Sequence, residues 1–204
     1  VSAGGFEEYL RQLEIKAVRV RPERHLERLT QLMNKTNQFN LTTNRYTSGQ
    51  LAELLSDADK RVYLYSVSDR FGDCGVTAAA VADCGRTVPV LTDFVMSCRI
   101  MGKNIEYALA EDIERDLRER GYQSLRGLYI PTAKNKPVEG LYESLGYRRI
   151  HEEDGLREPE QQGQSGNSGR QGTEPSGQWG RRVYELELAK SPFRMYYVRM
   201  EDET

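Results

Sequence analysis

Apolar residues recur at helical spacing in the N-terminal third of the chain, with one alternating stretch among them. A stripe beginning at Leu26 marks an amphipathic helix opened by Pro22, and Thr47 or Ser48 is a typical N-cap for another helix. The predicted elements are a helix over 6–13, a strand over 14–20, and helices over 22–35 and 47–55.

From residue 61 the apolar period becomes two, and short turns separate the alternating stretches. This pattern predicts an antiparallel meander, with Pro89 at a bulge or edge of its third strand. A long helix then follows, which Gly121 can close in the left-handed conformation. The predicted elements are strands over 61–68, 74–83 and 87–98, a helix over 104–120, a strand over 125–130, a helix over 137–145, and strands over 147–150 and 183–188.

Residues 152–181 contain almost no apolar residue and are rich in Gly, Gln, Ser, Glu and Pro. Such a composition buries too little apolar surface to fold, so we expect a mobile loop. The loop would join two neighbouring surface strands, because the entropy cost of closing a loop rises slowly with its length.

The composition narrows the function classes. The chain has 204 residues and a formal net charge of −2, which gives no electrostatic reason to expect nucleic acid. No apolar run reaches the length of a membrane span, and the first ten residues do not resemble a signal peptide. Three cysteines without a CxxC pair are typical of a reduced, cytoplasmic protein. Because His25 and His151 lack ligand spacing, we expect no metal site.

The turn over 99–104 carries the first candidate binding site. An apolar run ends there and a strongly periodic helix begins, so backbone N–H groups are free to bind phosphate. Gly102 permits close approach, and the predicted ligand is a thioester carrier that bears phosphate, either CoA or phosphopantetheine. By spacing alone, an ordinary strand-to-helix turn is an equal alternative. The predicted cofactor-binding residues are Val95, Met96, Ser97, Arg99, Ile100, Met101, Gly102, Lys103 and Asn104.

Asn135 and Tyr142 form the second candidate site, at the entry and on the apolar face of the helix over 137–145. Tyr142 would protonate a leaving thiolate, and Asn135 would form a polar wall of the same cleft. The alternative is a helix-entry asparagine and a core tyrosine with a hydrogen-bonded hydroxyl. Cys98 is an alternative nucleophile beside Arg99, although a cysteine in a strand is more often a buried apolar residue.

The loop over 37–44 is dense in amide and hydroxyl side chains, which favour caps and turns. It either contacts a polar substrate or satisfies its own backbone. The candidate substrate-contacting residues are Asn37, Gln38, Asn40 and Thr42. The carboxylates of the long helix are expected on its solvated face, and they are Glu106, Glu111, Asp112, Glu114 and Asp116.

The order of elements and two motifs resemble the GNAT acyltransferases. Arg99, Gly102 and Asn104 fall on the family's phosphate motif, Gln/Arg-x-x-Gly-x-Gly/Ala, with Asn104 in place of the small last residue. The segment 135–147 resembles the family's second motif, with Tyr142 at the position of its frequent acid. The resemblance implies an α/β fold with a mixed, mostly antiparallel sheet flanked by helices, and acyl transfer from CoA.

Separate motifs are also similar to the C-terminal, GNAT-like region of FkbH-like proteins of the HAD superfamily (subfamily IIIC). They lie within residues 6–150, at 6–17, 34–43, 67–73, 97–102 and 131–135. This resemblance implies an upstream HAD domain that loads a glyceryl unit onto an acyl carrier protein for polyketide-type synthesis. The sequence has one Asp-x-Asp tripeptide, Asp57-Ala58-Asp59, directly after the predicted helix over 47–55, and we do not assign it as the catalytic motif of that domain.

These resemblances imply a division of the chain and two alternative functions. The division is a helical lead-in from an upstream domain (1–13), a GNAT-like domain (14–151), a flexible insertion loop (152–182) and the final strands (183–204). The first function is acyl transfer from a CoA or phosphopantetheine thioester. The second is non-catalytic docking of an acyl carrier protein. The basic residues of the docking face would be Arg45, Arg99, Lys103, Lys134 and Lys136.

Overall fold

The computed structural model describes residues 3–150 and 180–203, so most of the predicted loop over 152–182 lies outside the described residues. The helices are α1 (Ala3–Gln12), α2 (Leu26–Lys35), α3 (Ser48–Ser56), α4 (Ile105–Glu119) and α5 (Leu141–Ser144). The strands are β1 (Ile15–Arg19), β2 (Phe39–Asn40), β3 (Lys60–Asp69), β4 (Gly72–Asp83), β5 (Val90–Met96), β6 (Ser124–Tyr129), β7 (Arg148–Ile150), β8 (Arg182–Glu187) and β9 (Val198–Asp202).

One mixed sheet runs through the described part of the chain in the order β7-β8-β6-β5-β4-β3-β1-β9. The predicted meander β3-β4-β5 is antiparallel, as are most other pairs, whereas β5–β6 and β1–β9 are parallel. Strand β2 lies off this path and pairs with β5. The predicted fold class, a mixed and mostly antiparallel sheet flanked by helices, is confirmed.

Helices cover both faces of the sheet. On one face α4, α5 and the buried Leu10 of α1 share a core with every second residue of β4, beginning at Ala78. On the other face α2 and α3 pack on the residues between, including Ala79 and Val81. The run of alanines in β4 therefore suits a strand that is buried on both faces. Within the described residues, no helix is long and apolar enough to cross a membrane.

Two predicted elements near the candidate site are shorter than expected. The strand predicted over 87–98 is Val90–Met96, because Pro89 precedes it and a 3-10 turn begins at Cys98. The helix predicted over 137–145 is divided into a 3-10 turn at Lys136–Val138 and the short α5, with Gly140 as the N-cap. The 3-10 turn and α5 both contribute residues to a cavity at the start of α4.

The expectation of a solvated acidic face on α4 is wrong for its middle. Glu114 is fully buried, and both its oxygens accept hydrogen bonds from the Arg194 guanidinium, at 2.8 and 2.9 Å. The hydroxyls of Tyr147 and Ser191 complete its shell, at 3.0 and 2.7 Å. Asp112 is buried beside Arg19 of β1, whose Nε and Nη2 atoms donate to Oδ2 at 2.9 and 2.6 Å. These pairs tie β1 and the C-terminal segment to α4.

Candidate functional site

The predicted phosphate turn is formed as a compact, self-bonded loop. The Ser97 hydroxyl accepts a hydrogen bond from the Arg99 N–H at 3.4 Å, and the Met101 N–H donates to the Cys98 carbonyl at 3.3 Å. Gly102 and Asn104 have positive φ angles of 74° and 56°, and Asn104 is the N-cap of α4 without a side-chain capping bond. The α4 start therefore keeps backbone N–H groups that no cap side chain covers.

The basic residues of this turn differ in their surroundings. The Lys103 ammonium lies 2.8 Å from Oδ2 of Asp69, and its hydrogen bond lowers the pKa of that carboxyl. Its charge is thus already paired. Arg99 is exposed, whereas Val95, Met96 and Ile100 of the same predicted set are completely buried.

Strand β2, which was not predicted from the sequence, pairs with one edge of β5. Phe39 pairs with Met96 and Asn40 with Val95, and the Leu41 N–H donates to the Phe94 carbonyl at 3.2 Å. On its other side, the Leu41 carbonyl accepts from the Ile130 N–H at 2.8 Å. Segment 39–41 therefore fills the gap between β5 and β6, which pair directly only near Leu91.

Asn135 holds this inserted segment in place. Its amide nitrogen donates to the carbonyls of Asn40 and Ile130 at 2.8 and 3.0 Å. Its side-chain oxygen accepts from the Thr132 N–H at 2.8 Å and the Tyr129 hydroxyl at 3.2 Å. Asn135 is fully buried, so its amide positions the backbone around β2. The catalytic role of Asn135 stays a prediction.

Tyr142 is buried on the inner side of α5. Its ring packs on those of Tyr147 and Tyr184, with centroids 5.2 and 5.1 Å away, and against Gly127 of β6. Within the described residues its hydroxyl has no hydrogen-bond partner of normal geometry. Burial, followed by the charge of Asp93, raises the pKa of Tyr142 well above its usual value. Its role as the acid for a leaving thiolate stays a prediction.

The four candidate substrate-contacting residues divide into two pairs. Asn40 and Thr42 are buried and bond backbone groups: the Asn40 side-chain oxygen accepts from the Thr43 N–H at 2.7 Å, and the Thr42 hydroxyl donates to the Thr92 carbonyl at 2.8 Å. Asn37 accepts from Arg45 at 2.6 Å, and Gln38 is exposed. Asn37 and Gln38 line a cavity, so they are the pair that is placed to meet a ligand.

Two cavities reach the β2–β5 pair from the two helical layers. The α4 cavity has a volume of about 420 Å³ and is lined by Phe39, Met96, Met101, Gly102, Glu106, Tyr107, Pro137, Val138, Gly140, Leu141 and Ser144. The α2 cavity has a volume of about 360 Å³ and is lined by Arg28, Gln31, Leu32, Lys35, Thr36, Asn37, Gln38, Phe39, Met96, Ser97 and Cys98. Phe39 and Met96 line both cavities and form a shared wall.

The cavities have different chemistry. The α4 cavity is lined mainly by uncharged residues, and among the described residues Glu106 is the only charged one in its lining. The α2 cavity has two cations, Arg28 and Lys35, and contains the exposed thiol Cys98. The Arg28 guanidinium is held by a hydrogen bond from Nε to the Val76 carbonyl at 3.0 Å. In the described residues no group of His, Cys, Asp and Glu side chains could hold a metal ion.

Glu106 is a site residue that sequence reasoning missed. One of its oxygens, Oε2, is buried with no hydrogen-bond partner in the described part of the chain. Burial raises the pKa of Glu106, against a weaker effect of its own backbone N–H. A glutamate in the first turn of a helix ordinarily complements the helix dipole from the surface, so the sequence held no signal of this environment.

Comparisons with known proteins identify the fold. No protein-family model and no curated protein sequence matches the chain. Three solved structures illustrate the structural matches. The ribosomal-protein-S18-alanine N-acetyltransferase from Escherichia coli matches with a TM-score of 0.56 and 14% identity, over 89% of this chain and 99% of that one.

The second is a putative GNAT-family acetyltransferase from Desulfovibrio desulfuricans, with a TM-score of 0.53 and 13% identity over 85% and 99% of the two chains. The third is the spermidine N-acetyltransferase from Vibrio cholerae in complex with CoA and spermine, with a TM-score of 0.55 and 10% identity over 87% and 97%. At these identities the likeness concerns architecture. The chain has the fold of the GNAT N-acetyltransferases.

Proposed function

We propose that this domain transfers an acyl group from a pantetheine-type thioester, CoA or a phosphopantetheine arm, held in the α4 cavity, to an acceptor held in the α2 cavity. The observation that carries the proposal is the shared wall. Transfer requires donor and acceptor to approach one point from separate binding sites. Phe39 and Met96 line both cavities, so ligands in the two cavities would lie next to each other on either side of this residue pair, which must move aside for transfer.

The mostly uncharged lining of the α4 cavity suits the pantetheine arm, which is a long and mostly uncharged chain. A cavity of about 420 Å³ lies within the usual size of small-molecule sites, roughly 300–1,000 Å³. Because β2 already pairs with Val95 and Met96, the arm would lie against α4 and α5 and would not extend the β5 edge as a further strand. Of the β5 residues that we predicted to bind the cofactor, Met96 lines this route and Val95 does not.

In the proposed reaction an amine or hydroxyl of the acceptor attacks the thioester carbonyl and loses its proton to solvent, and the carbon–sulfur bond breaks. The thiolate leaves with a proton from an acid, which regains its proton from solvent. Tyr142 remains our candidate acid, although its hydroxyl is buried and it does not line the α4 cavity. Cys98 lines the α2 cavity, and a covalent acyl-cysteine is the alternative route.

A second function is favoured by one observation. Tyr142 and the edge of β5 are both covered, which suits a domain that holds a carrier arm without chemistry. Its partner would be an acyl carrier protein, with an upstream HAD domain supplying catalysis in an FkbH-like, cytoplasmic protein of polyketide-type biosynthesis. Lys134 and Lys136 flank an open depression that shares Pro137 with the α4 cavity, and carrier proteins are generally acidic.

Two cavity-filling variants test the proposal. Ser144→Trp fills the α4 cavity from its exposed rim, and Gln38→Trp fills the α2 cavity. Isothermal titration with CoA, acetyl-CoA and a holo acyl carrier protein measures arm binding. Thiol release from acetyl-CoA, with a panel of amines and alcohols as acceptors, measures transfer.

An acyltransferase loses binding and turnover in Ser144→Trp, but keeps binding and loses turnover in Gln38→Trp. A docking module binds the arm and releases no thiol with any acceptor. If neither CoA nor carrier protein binds to the unmodified protein, both functions are excluded.

A further inference from the structure

The start of α4 has a negatively charged side chain, whereas the turn before it predicts a phosphate ligand, which is also negative. Phosphate binds helix starts because their N–H groups point outward and the helix dipole favours negative charge. Here the second residue of α4 is Glu106, and this residue lines the α4 cavity. An anion at this helix start would therefore meet a carboxylate.

Among the described residues, no cation lines the cavity beside Glu106. The remaining lining residues are uncharged, and Lys103, its nearest basic neighbour in sequence, is paired with Asp69 at 2.8 Å. Oε2 of Glu106 accepts no hydrogen bond in the described part of the chain, although the atom is buried. Burying a carboxylate oxygen without a partner costs free energy, so the group does not serve the stability of the fold.

The chemistry of the cavity defines what would satisfy Glu106. An ionised carboxylate only accepts hydrogen bonds, and the other described residues that line the cavity, among them Phe39, Met96 and Leu141, are uncharged. The matching ligand is an uncharged chain with N–H or O–H groups. The pantetheine arm has amide N–H groups and hydroxyls along an otherwise apolar chain, whereas a phosphate at this position has only negative oxygens.

We propose that Glu106 selects the ligand of the α4 cavity, by accepting a hydrogen bond from an uncharged donor group of the thioester arm and by keeping phosphate away from the first turn of α4. This inference rests on the proposed function of the cavity. Glu106 is thus a specificity-determining residue, and the phosphates of CoA or of a carrier protein lie outside the cavity. The turn over 99–104 then supports the arm and does not bind pyrophosphate.

The test compares Glu106→Gln and Glu106→Ala with a matched control. Glu119→Gln makes the same charge change on an exposed residue at the far end of α4. Isothermal titration measures the affinities of pantetheine, phosphopantetheine and CoA. Inorganic pyrophosphate is the phosphate probe, and amide chemical shifts of residues 102–107 report whether it binds at the helix start. Circular dichroism confirms that each variant is folded.

We expect Glu106→Ala to weaken pantetheine binding about tenfold, the loss typical of one hydrogen bond to a charged group. Pyrophosphate should leave the amides of residues 102–107 unshifted in the unmodified protein and in Glu119→Gln, and should shift them in Glu106→Gln. The inference is overturned if pyrophosphate shifts these amides in the unmodified protein, or if neither Glu106 variant changes any affinity. If the unmodified protein binds none of the three thiols, the proposed function itself has failed.

Discussion

The middle and the start of α4 both contain buried carboxylate oxygens, but only the middle provides partners for them. Glu114 is enclosed by the Arg194 guanidinium and the Tyr147 and Ser191 hydroxyls. Glu106, two turns earlier, has one buried oxygen without any partner in the described residues. A carboxylate with a complete shell holds elements together, whereas one without a shell is available to a ligand. Burial alone does not distinguish the two.

The difference follows from what faces each part of the helix. The middle of α4 faces β1 and the C-terminal segment, which supply Arg19 and Arg194. The start faces the broken helix around Gly140, where a cavity remains. The same helix thus combines a structural ion pair with a ligand-facing acid, and substitutions at the two sites should have opposite effects on stability.

The largest expected effect on the free energy of unfolding is at the Glu114–Arg194 pair. Arg194→Met leaves Glu114 buried without its charge partner and should lower the free energy of unfolding by about 3–5 kcal/mol. Urea denaturation measures the loss. Arg148→Met is the matched control, because its side chain is mostly exposed and lies 3.8 Å from Glu187, and it should cost less than about 1 kcal/mol. A similar, small cost for both variants would remove the structural role of the Arg194–Glu114 pair.

A smaller effect of opposite sign is expected at the ligand-facing site. Glu106→Gln should raise the free energy of unfolding at neutral pH by about 1 kcal/mol, because it removes a buried charge. The folded-state pKa of Glu106 is raised by burial, so its ionisation penalises the folded state. The two proteins should be equally stable at a pH below the pKa of an unfolded-state glutamate. As the pH rises through the folded-state pKa of Glu106, the variant should become more stable than the unmodified protein. Denaturation across pH checks this, and a loss of stability in Glu106→Gln at neutral pH would contradict the comparison.

The smallest effect is expected at Tyr142, whose buried hydroxyl also lacks a partner of normal geometry in the described residues but lies outside the α4 cavity. Tyr142→Phe should change the free energy of unfolding by less than about 0.5 kcal/mol, because no formed hydrogen bond is lost. Thiol release by the variant is the second readout. A large drop in turnover at unchanged stability would support the acid role of Tyr142, and unchanged turnover would remove it.

Local sequence signals predicted the main elements well. The meander, the long helix and the turn at Gly121, which has a φ angle of 93°, follow from apolar period and glycine chemistry. The predicted N-cap at Thr47 is confirmed by a complete capping box with Gln50. These features depend on residues within a few positions of one another, so a local sequence pattern is enough to predict them.

The site depends on contacts between distant residues, and there the sequence was insufficient. Glu114 meets Arg194 across 80 positions, and Asn135 reaches Asn40 across 95. The two-residue β2 is too short to show an alternating pattern, although it decides which edge of β5 a ligand can reach. The sequence predicted Gly102 and the start of α4 as the candidate site. It did not predict that Glu106 places a negative charge there, because this depends on how Glu106 packs in the folded protein.

A crystal structure of the protein with bound pantetheine would locate the arm. We predict density for the arm in the α4 cavity, with an amide or hydroxyl donor within hydrogen-bond distance of the Glu106 carboxylate and with segment 39–41 still paired to β5. An arm that displaces segment 39–41 and pairs with β5, or density elsewhere on the protein, would contradict both the cavity assignment and the role of Glu106.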